Sequence, residues 1–148
     1  MEIIVKNKRD MEAYAKKSHT KTSIVISISS FGSSQARIIP NKENGILRVC
    51  YSVFNDTDSI STDEYGISSL VAFRIVNFLK EASNQIKFDQ IIVQCEAGQS
   101  RSAGVAAALM KYINGDDTPI FDNPRYKPNM RVYRSILDTL YASESWVY

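Results

Sequence analysis

Ile91-Ile92-Val93-Gln94-Cys95-Glu96-Ala97-Gly98-Gln99-Ser100-Arg101-Ser102, followed by the small-residue run Ala103 to Met110, is the stretch that organises this chain. Its apolar start suits a buried strand, and that strand ends at a single thiol. A short passage containing Gly98 leads to an arginine, after which an alanine-rich segment reads as a helix start. If Glu96, Ala97, Gly98, Gln99, Ser100 and Arg101 curl into a loop at that start, their amides point at one spot. There, unpaired N–H groups and the helix dipole hold an anion. Cys95 lies beneath the spot, and the Arg101 guanidinium can grip two oxygens of a tetrahedral oxyanion. A phosphate-binding nucleophile loop is the expectation.

The remaining pattern gives that loop its setting. Glu2 to Lys6 reads as an edge strand, Lys8 to Lys17 as a helix and Thr22 to Ile28 as an inner strand. Ser29 to Ser34 and Pro40 to Gly45 break the chain, and Ile46 to Phe54 is another strand. A polar segment, Asn55 to Gly66, precedes an amphipathic helix over Ile67 to Ala82, and Phe88 to Val93 is the strand that leads to Cys95. The helix after Arg101 should stop near Asn114-Gly115. Asp116 to Pro128, with Pro119, Pro124 and Pro128, reads as an irregular connection before a last helix capped by Asn129. Strands separated by helices predict an α/β fold, a mainly parallel central sheet flanked by helices on both faces, in one domain spanning 1–148. Ligands in such sheets sit at the carboxyl ends of strands, and Cys95 falls at one.

Composition narrows the function classes. With 44% hydrophobic and 23% charged residues the chain is ordinary for a soluble globular protein, and its net charge of +2 gives no argument for nucleic acid. No apolar run approaches the ~20 residues of a membrane span, and the N-terminus lacks the organisation of a signal peptide. Cys50 and Cys95, the two cysteines, are too few for a disulfide scaffold, so a reducing, cytoplasmic interior is expected. No His/Cys cluster has metal-ligand spacing, and neither metal nor cofactor is expected. His19, the one histidine, sits in a polar turn and reads as surface.

Cys95, five intervening residues, Arg101 and Ser102 together resemble the Cys-x5-Arg-Ser/Thr loop of the protein tyrosine phosphatase superfamily. Ala97-Gly98 and the small-residue helix that follows match as well. The chain is most similar to compact dual-specificity-like enzymes and to small tyrosine-phosphatase-like proteins of prokaryotes and phages. The likeness runs from the strand near Ile24 to the last helix. It implies that Cys95 attacks phosphorus, that the 96–101 amides and Arg101 hold the equatorial oxygens, and that the Ser102 hydroxyl helps the sulfur leave. It also implies an aspartate acid on a loop upstream. Phe54-Asn55-Asp56 stands where small relatives often show Phe-Asp-Asp, which makes Asp56 the first choice, with Asp58 and Asp63 as alternatives. Gln94 departs from the family's usual histidine, a change expected to tune the thiol's surroundings through hydrogen bonds to backbone. Cys50, in the strand leading to the Asp56 loop, reads as a core cysteine; some members protect the nucleophile with a disulfide, for which Cys50 would serve only with its Cα within ~7 Å of that of Cys95.

The implied partner is a phosphorylated substrate: protein phosphotyrosine or phosphoserine, or a small phosphomonoester such as an inositol phosphate or a nucleotide or RNA 5′-phosphate. A recognition module that binds phosphate without turnover is the non-enzyme alternative. A rhodanese-like sulfurtransferase does not call for Arg101-Ser102 in this register, and an arsenate reductase would want more cysteines. No Gly-Lys-Ser/Thr follows Gly98, as a nucleotide-binding loop requires.

Overall fold

The computed structural model describes residues 1–58 and 64–143. Strands β1 (Glu2–Lys6), β2 (Ser23–Ser29), β3 (Ile46–Val53) and β4 (Gln90–Gln94) form one sheet in the order β1-β4-β2-β3, and every pairing in it is parallel. The β-branched runs explain the two inner positions. Each residue of β2 and β4 is buried, as strands covered on both faces must be. Strand β3, at the edge, mixes buried and exposed positions.

Alternation along the strands sends successive side chains to opposite layers. Ile24, Ile26, Ile28, Ile91 and Val93 pack into the larger core with α2 (Ser69–Gln85), α3 (Arg101–Leu109) and α5 (Met130–Ala142). Val25 and Ile92 turn the other way, toward Met11 and Ala15 of α1 (Lys8–Ala15) and toward Ala36 and Ile38. An eight-residue helix has little stability of its own. Helix α1 is held by Met11, fully buried, and by the Asn7 side chain accepting from the Asp10 amide. Those two contacts contribute about 1.5–3 and about 1 kcal/mol respectively, as buried side chain and N-cap.

Helix α3 is buried along its whole length, which only a run of Ala, Gly and Val permits at this closeness. A Cβ on Gly104 would lie 2.7 Å from the Asn129 carbonyl oxygen, so α3 and α5 meet nearly backbone to backbone. Helix α3 runs on as a π-helical turn, Met110–Asn114, and stops where Gly115 takes a left-handed conformation at φ 74°. The Asn114-Gly115 stop is therefore where the sequence puts it.

Boundaries differ where local signals compete. Ser68 caps α2, so Ile67 stays outside the helix, which continues to Gln85 because nothing in Ser83-Asn84-Gln85 ends it. Helix α1 ends at Ala15 rather than at Lys17. The connection after Gly115 contains one helical turn, α4 (Thr118–Phe121), with Pro119 in its first turn, where a missing N–H costs nothing. No helix among the described residues is long and apolar enough to cross a membrane.

Candidate active site

Strand β4 lies between β1 and β2, so the loop leaving its carboxyl end is surrounded by the ends of the other strands. Each supplies something. Asn7 comes from the end of β1, Ser30 from β2, and Phe54 with Asp56 from β3.

The backbone of the loop sorts its donors from its acceptors. The Glu96 carbonyl accepts from the Lys8 amide at 3.1 Å and that of Gln99 from the Lys127 amide at 2.9 Å. The Ser100 carbonyl accepts from the amides of Asn129 and Gly104, at 3.0 and 2.9 Å. These oxygens are turned outward to neighbouring elements. Among the described residues, none of the amides from Glu96 to Arg101 donates to a protein acceptor. Backbone donors are rarely left idle in a folded protein, and a row of them at a helix N-terminus is a place for an anion. Gly98 allows the curl: its φ is 64°, and a Cβ there would lie 2.7 Å from the Asn7 nitrogen.

Cys95 is 2% exposed, and its Sγ lies 3.0 Å from the Ser102 Oγ, so one hydroxyl reaches the sulfur from the first turn of α3. Arg101 is 6% exposed and is anchored from behind: Nη1 donates to the Ser30 Oγ at 2.9 Å and to the Phe54 carbonyl at 2.7 Å. Nε and Nη2 have no protein acceptor among the described residues and are left to grip an oxyanion. Neither Ser30 nor the Phe54 carbonyl is marked by any motif. Their roles follow from the strand order.

Asp56 is exposed at the rim. Its Oδ1 accepts from the Ser100 Oγ and from the Asn129 Nδ2, both at 2.8 Å, and Oδ2 accepts nothing among the described residues. Asn129 is 3% exposed and does three things at once. Its Oδ1 accepts from the Val132 amide and caps α5, its Nδ2 also donates to the Thr57 carbonyl at 3.0 Å, and its own amide holds the Ser100 carbonyl. The cap was legible in sequence, but the rest was not. The available signal is chemical: a buried Asn cap, unlike Ser or Asp, brings an NH2 group that needs acceptors.

Asp58 faces away from the loop, with Oδ1 accepting from the Arg131 amide at 2.9 Å in the first turn of α5. That is a helix-start role of the kind expected of an acid near a dipole's positive end. Asp63 lies outside the described residues.

One expectation needs correction. Gln94 is 1% exposed, and its side-chain oxygen accepts from the Ser27 Oγ, tying β4 sideways to β2 rather than bracing the loop backbone. Cys50 is the core cysteine it reads as, and the alternative Cys50–Cys95 disulfide does not fit. Cys50 pairs with Ile26, which pairs with Val93, so Cys50 is two strands from β4 and Cys95 lies two residues beyond that register. At ~4.8 Å per strand and ~3.3 Å per residue their Cα atoms are ~12 Å apart, beyond the ~7 Å a disulfide spans. Burial pushes the Cys50 thiol above its usual pKa, with only a 3.8 Å contact to the Ser52 hydroxyl pulling it back. Cys50 is a core thiol. His19 is half-buried, its ring stacked 3.6 Å from that of Tyr14. Among the described residues no group of three or more His, Cys, Asp or Glu is arranged to hold a metal ion.

No protein-family model and no curated protein matches the chain in sequence. Solved structures do match in shape. Human DUSP28 superposes with a TM-score of 0.58 at 14% identity, covering 97% of this chain and 94% of its own. A mouse putative dual specificity phosphatase, solved with zinc tungstate, gives 0.56 at 16% identity over 97% and 84%. Tk-PTP in its active form gives 0.51 at 14% over 97% and 93%. These neighbours are phosphatases by name, and in this chain the inner strand β4 of the all-parallel sheet ends at the loop described above. The chain has the fold of the protein tyrosine phosphatase superfamily, in its compact dual-specificity form.

Proposed function

We propose that this protein is a cysteine-dependent phosphomonoester hydrolase. One observation carries the reading: among the described residues no amide from Glu96 to Arg101 has a protein acceptor, and this row follows directly on a buried thiol and ends at a guanidinium anchored on its far side. The row and the guanidinium bind the three non-bridging oxygens of a phosphate, and they stabilise the charge that spreads over them during transfer. The Cys95 thiolate attacks phosphorus as the ester oxygen departs, and Asp56 gives that oxygen its proton through Oδ2. A phosphocysteine results. Water then attacks the phosphocysteine and loses its proton to Asp56. Sulfur leaves with its electron pair, met by a hydrogen bond from the Ser102 hydroxyl 3.0 Å away. Inorganic phosphate is released.

Exposed aromatics stand on the Asp56 side of the mouth. Phe31 and Tyr65 meet edge to face at 5.4 Å, and both hold Asn55: the Phe31 amide donates to the Asn55 Oδ1 and the Asn55 amide to the Tyr65 carbonyl. Such a wall suits an aryl phosphate, since ring contacts of this kind contribute about 0.5–1.5 kcal/mol.

Hydrolysis of a generic aryl phosphate in the presence of a chelator tests the reading. Turnover is expected in the native protein, and Cys95→Ser should lower it by at least about 10⁴-fold, the scale on which removing a covalent nucleophile acts. Activity that needs added metal and survives Cys95→Ser would remove the mechanism. Phosphate binding without turnover would make the protein a recognition module.

A further inference from the structure

The loop has a second neighbour that its chemistry does not use. Beside Glu96 and Ala97 lies an open groove of about 650 Å³, bounded by Asn7, by Lys8, Arg9, Glu12 and Ala13 of α1 and, just past the helix, by Lys16 and Lys17. The spacing i, i+3, i+4, i+7 puts Arg9, Glu12, Ala13 and Lys16 on one side of the helix, opposite the buried Met11 and Ala15. Four cations face two carboxylates there. One of the carboxylates is already engaged, because the Glu12 Oε2 accepts from the Arg37 amide at 2.7 Å. Lys8 donates to the Ser34 carbonyl and hydroxyl, but Arg9, Lys16 and Lys17 are exposed and have no acceptor among the described residues. The groove is fixed to the site by backbone, through the Lys8 amide on the Glu96 carbonyl and the Asn7 backbone against Gly98.

We propose that this groove docks an acidic polypeptide segment flanking the phosphorylated residue, so that the substrate is a phosphoprotein with carboxylates beside its phosphate. The inference rests on the phosphomonoesterase reading and names its substrate class. Three features favour a polypeptide. The groove is a shallow trough and not a pit that would enclose a small molecule. Its lining has no aromatic side chain on which a nucleic-acid base could stack. Glu12 and Glu96 would repel a continuous phosphate backbone while tolerating carboxylates spaced along an extended chain. Arg9 to Lys16 covers about 10 Å of helix, equal to about three residues of extended peptide. Acidic positions spread over about three residues on one side of the phosphoresidue would therefore span Arg9, Lys16 and Lys17.

Two phosphotyrosine peptides of equal length test this, one with Asp and Glu at positions two to four on both sides of the phosphoresidue and one with Ser and Asn there. Exposed charge pairs are individually weak, and three acting together favour the acidic peptide by about 10-fold in kcat/KM at low salt, mostly through KM. Raising the ionic strength should shrink that ratio. Lys16→Glu with Lys17→Glu should bring it to about one, and the milder Lys16→Gln with Lys17→Gln should give an intermediate value. A ratio cancels any general loss of activity or folding. Dissociation constants of the same peptides for the Cys95→Ser protein should show the same preference, a readout that stands even if no turnover is found. Equal affinity for both peptides, or a preference that survives the charge reversal, would overturn the proposal while leaving the aryl-phosphate result to judge the chemistry. Tighter binding of a 5′-phosphorylated single-stranded oligonucleotide than of the acidic peptide would overturn the assignment to a polypeptide.

Discussion

Replacing Arg101 by lysine should lower kcat/KM for every phosphomonoester by about 10³-fold, the cost of losing a preorganised oxyanion donor. The charge survives this substitution but the fork does not. Nη1 is committed to the Ser30 hydroxyl at 2.9 Å and the Phe54 carbonyl at 2.7 Å, while Nε and Nη2 remain for the phosphate. A single ammonium cannot hold the rear anchor and grip two oxygens at once. If it follows the phosphate, the buried Phe54 carbonyl loses its donor, at a cost of about 1–3 kcal/mol in stability. Steady-state kinetics with a thermal melt separates the two consequences. A lysine variant within about 10-fold of the native rate would show that Arg101 supplies charge alone, against the bidentate role given to it.

Asp56→Asn should produce the other large effect, and its size should depend on the leaving group. A general acid contributes about 10² to 10⁴-fold when the departing oxygen needs a proton, and little when it is a stable phenolate. The asparagine oxygen can still accept from the Ser100 hydroxyl and the Asn129 amide, so the loop should stay in place. The loss should therefore be steep for phenyl and alkyl phosphates and shallow for nitrophenyl esters. Asn129→Ser keeps a cap for α5 but removes the Nδ2 group that donates to Asp56 and to the Thr57 carbonyl, leaving Asp56 only the Ser100 hydroxyl, and a smaller loss with the same leaving-group trend is expected. An Asp56→Asn loss that is uniform across leaving groups would make Asp56 a positioning residue and reopen the question of the acid.

What the sequence shows and what it hides divide along the range of the interactions. Ile91 to Ser102 is legible because a buried strand, a glycine turn and a helix start are local events, each written in a few adjacent residues. The helix stop at Gly115 and the cap at Asn129 are legible for the same reason. The partners of the site are not. Ser30 lies 71 positions from Arg101 and they meet because β4 lies beside β2, while Asn129 lies 73 from Asp56 and reaches it because its amide ties the start of α5 to Ser100. Parallel pairing was readable from the alternation of elements, but strand order was not. Without the order, Asn7 against Gly98 could not be foreseen, and the Cys50–Cys95 bridge could not be dismissed. Gln94 shows another limit: that it departs from the family pattern is visible in sequence, while its engagement by Ser27 on the neighbouring strand depends on register.

Rapid-quench mass spectrometry during turnover of an aryl phosphate addresses the central claim most directly. If Cys95 is the nucleophile, one phosphoryl group should be found on the peptide that carries it, should accumulate when Ser102→Ala slows departure of the sulfur, and should be absent from Cys95→Ser. A phosphoryl group on another residue, or full turnover with no adduct on Cys95 in either protein, would contradict the mechanism.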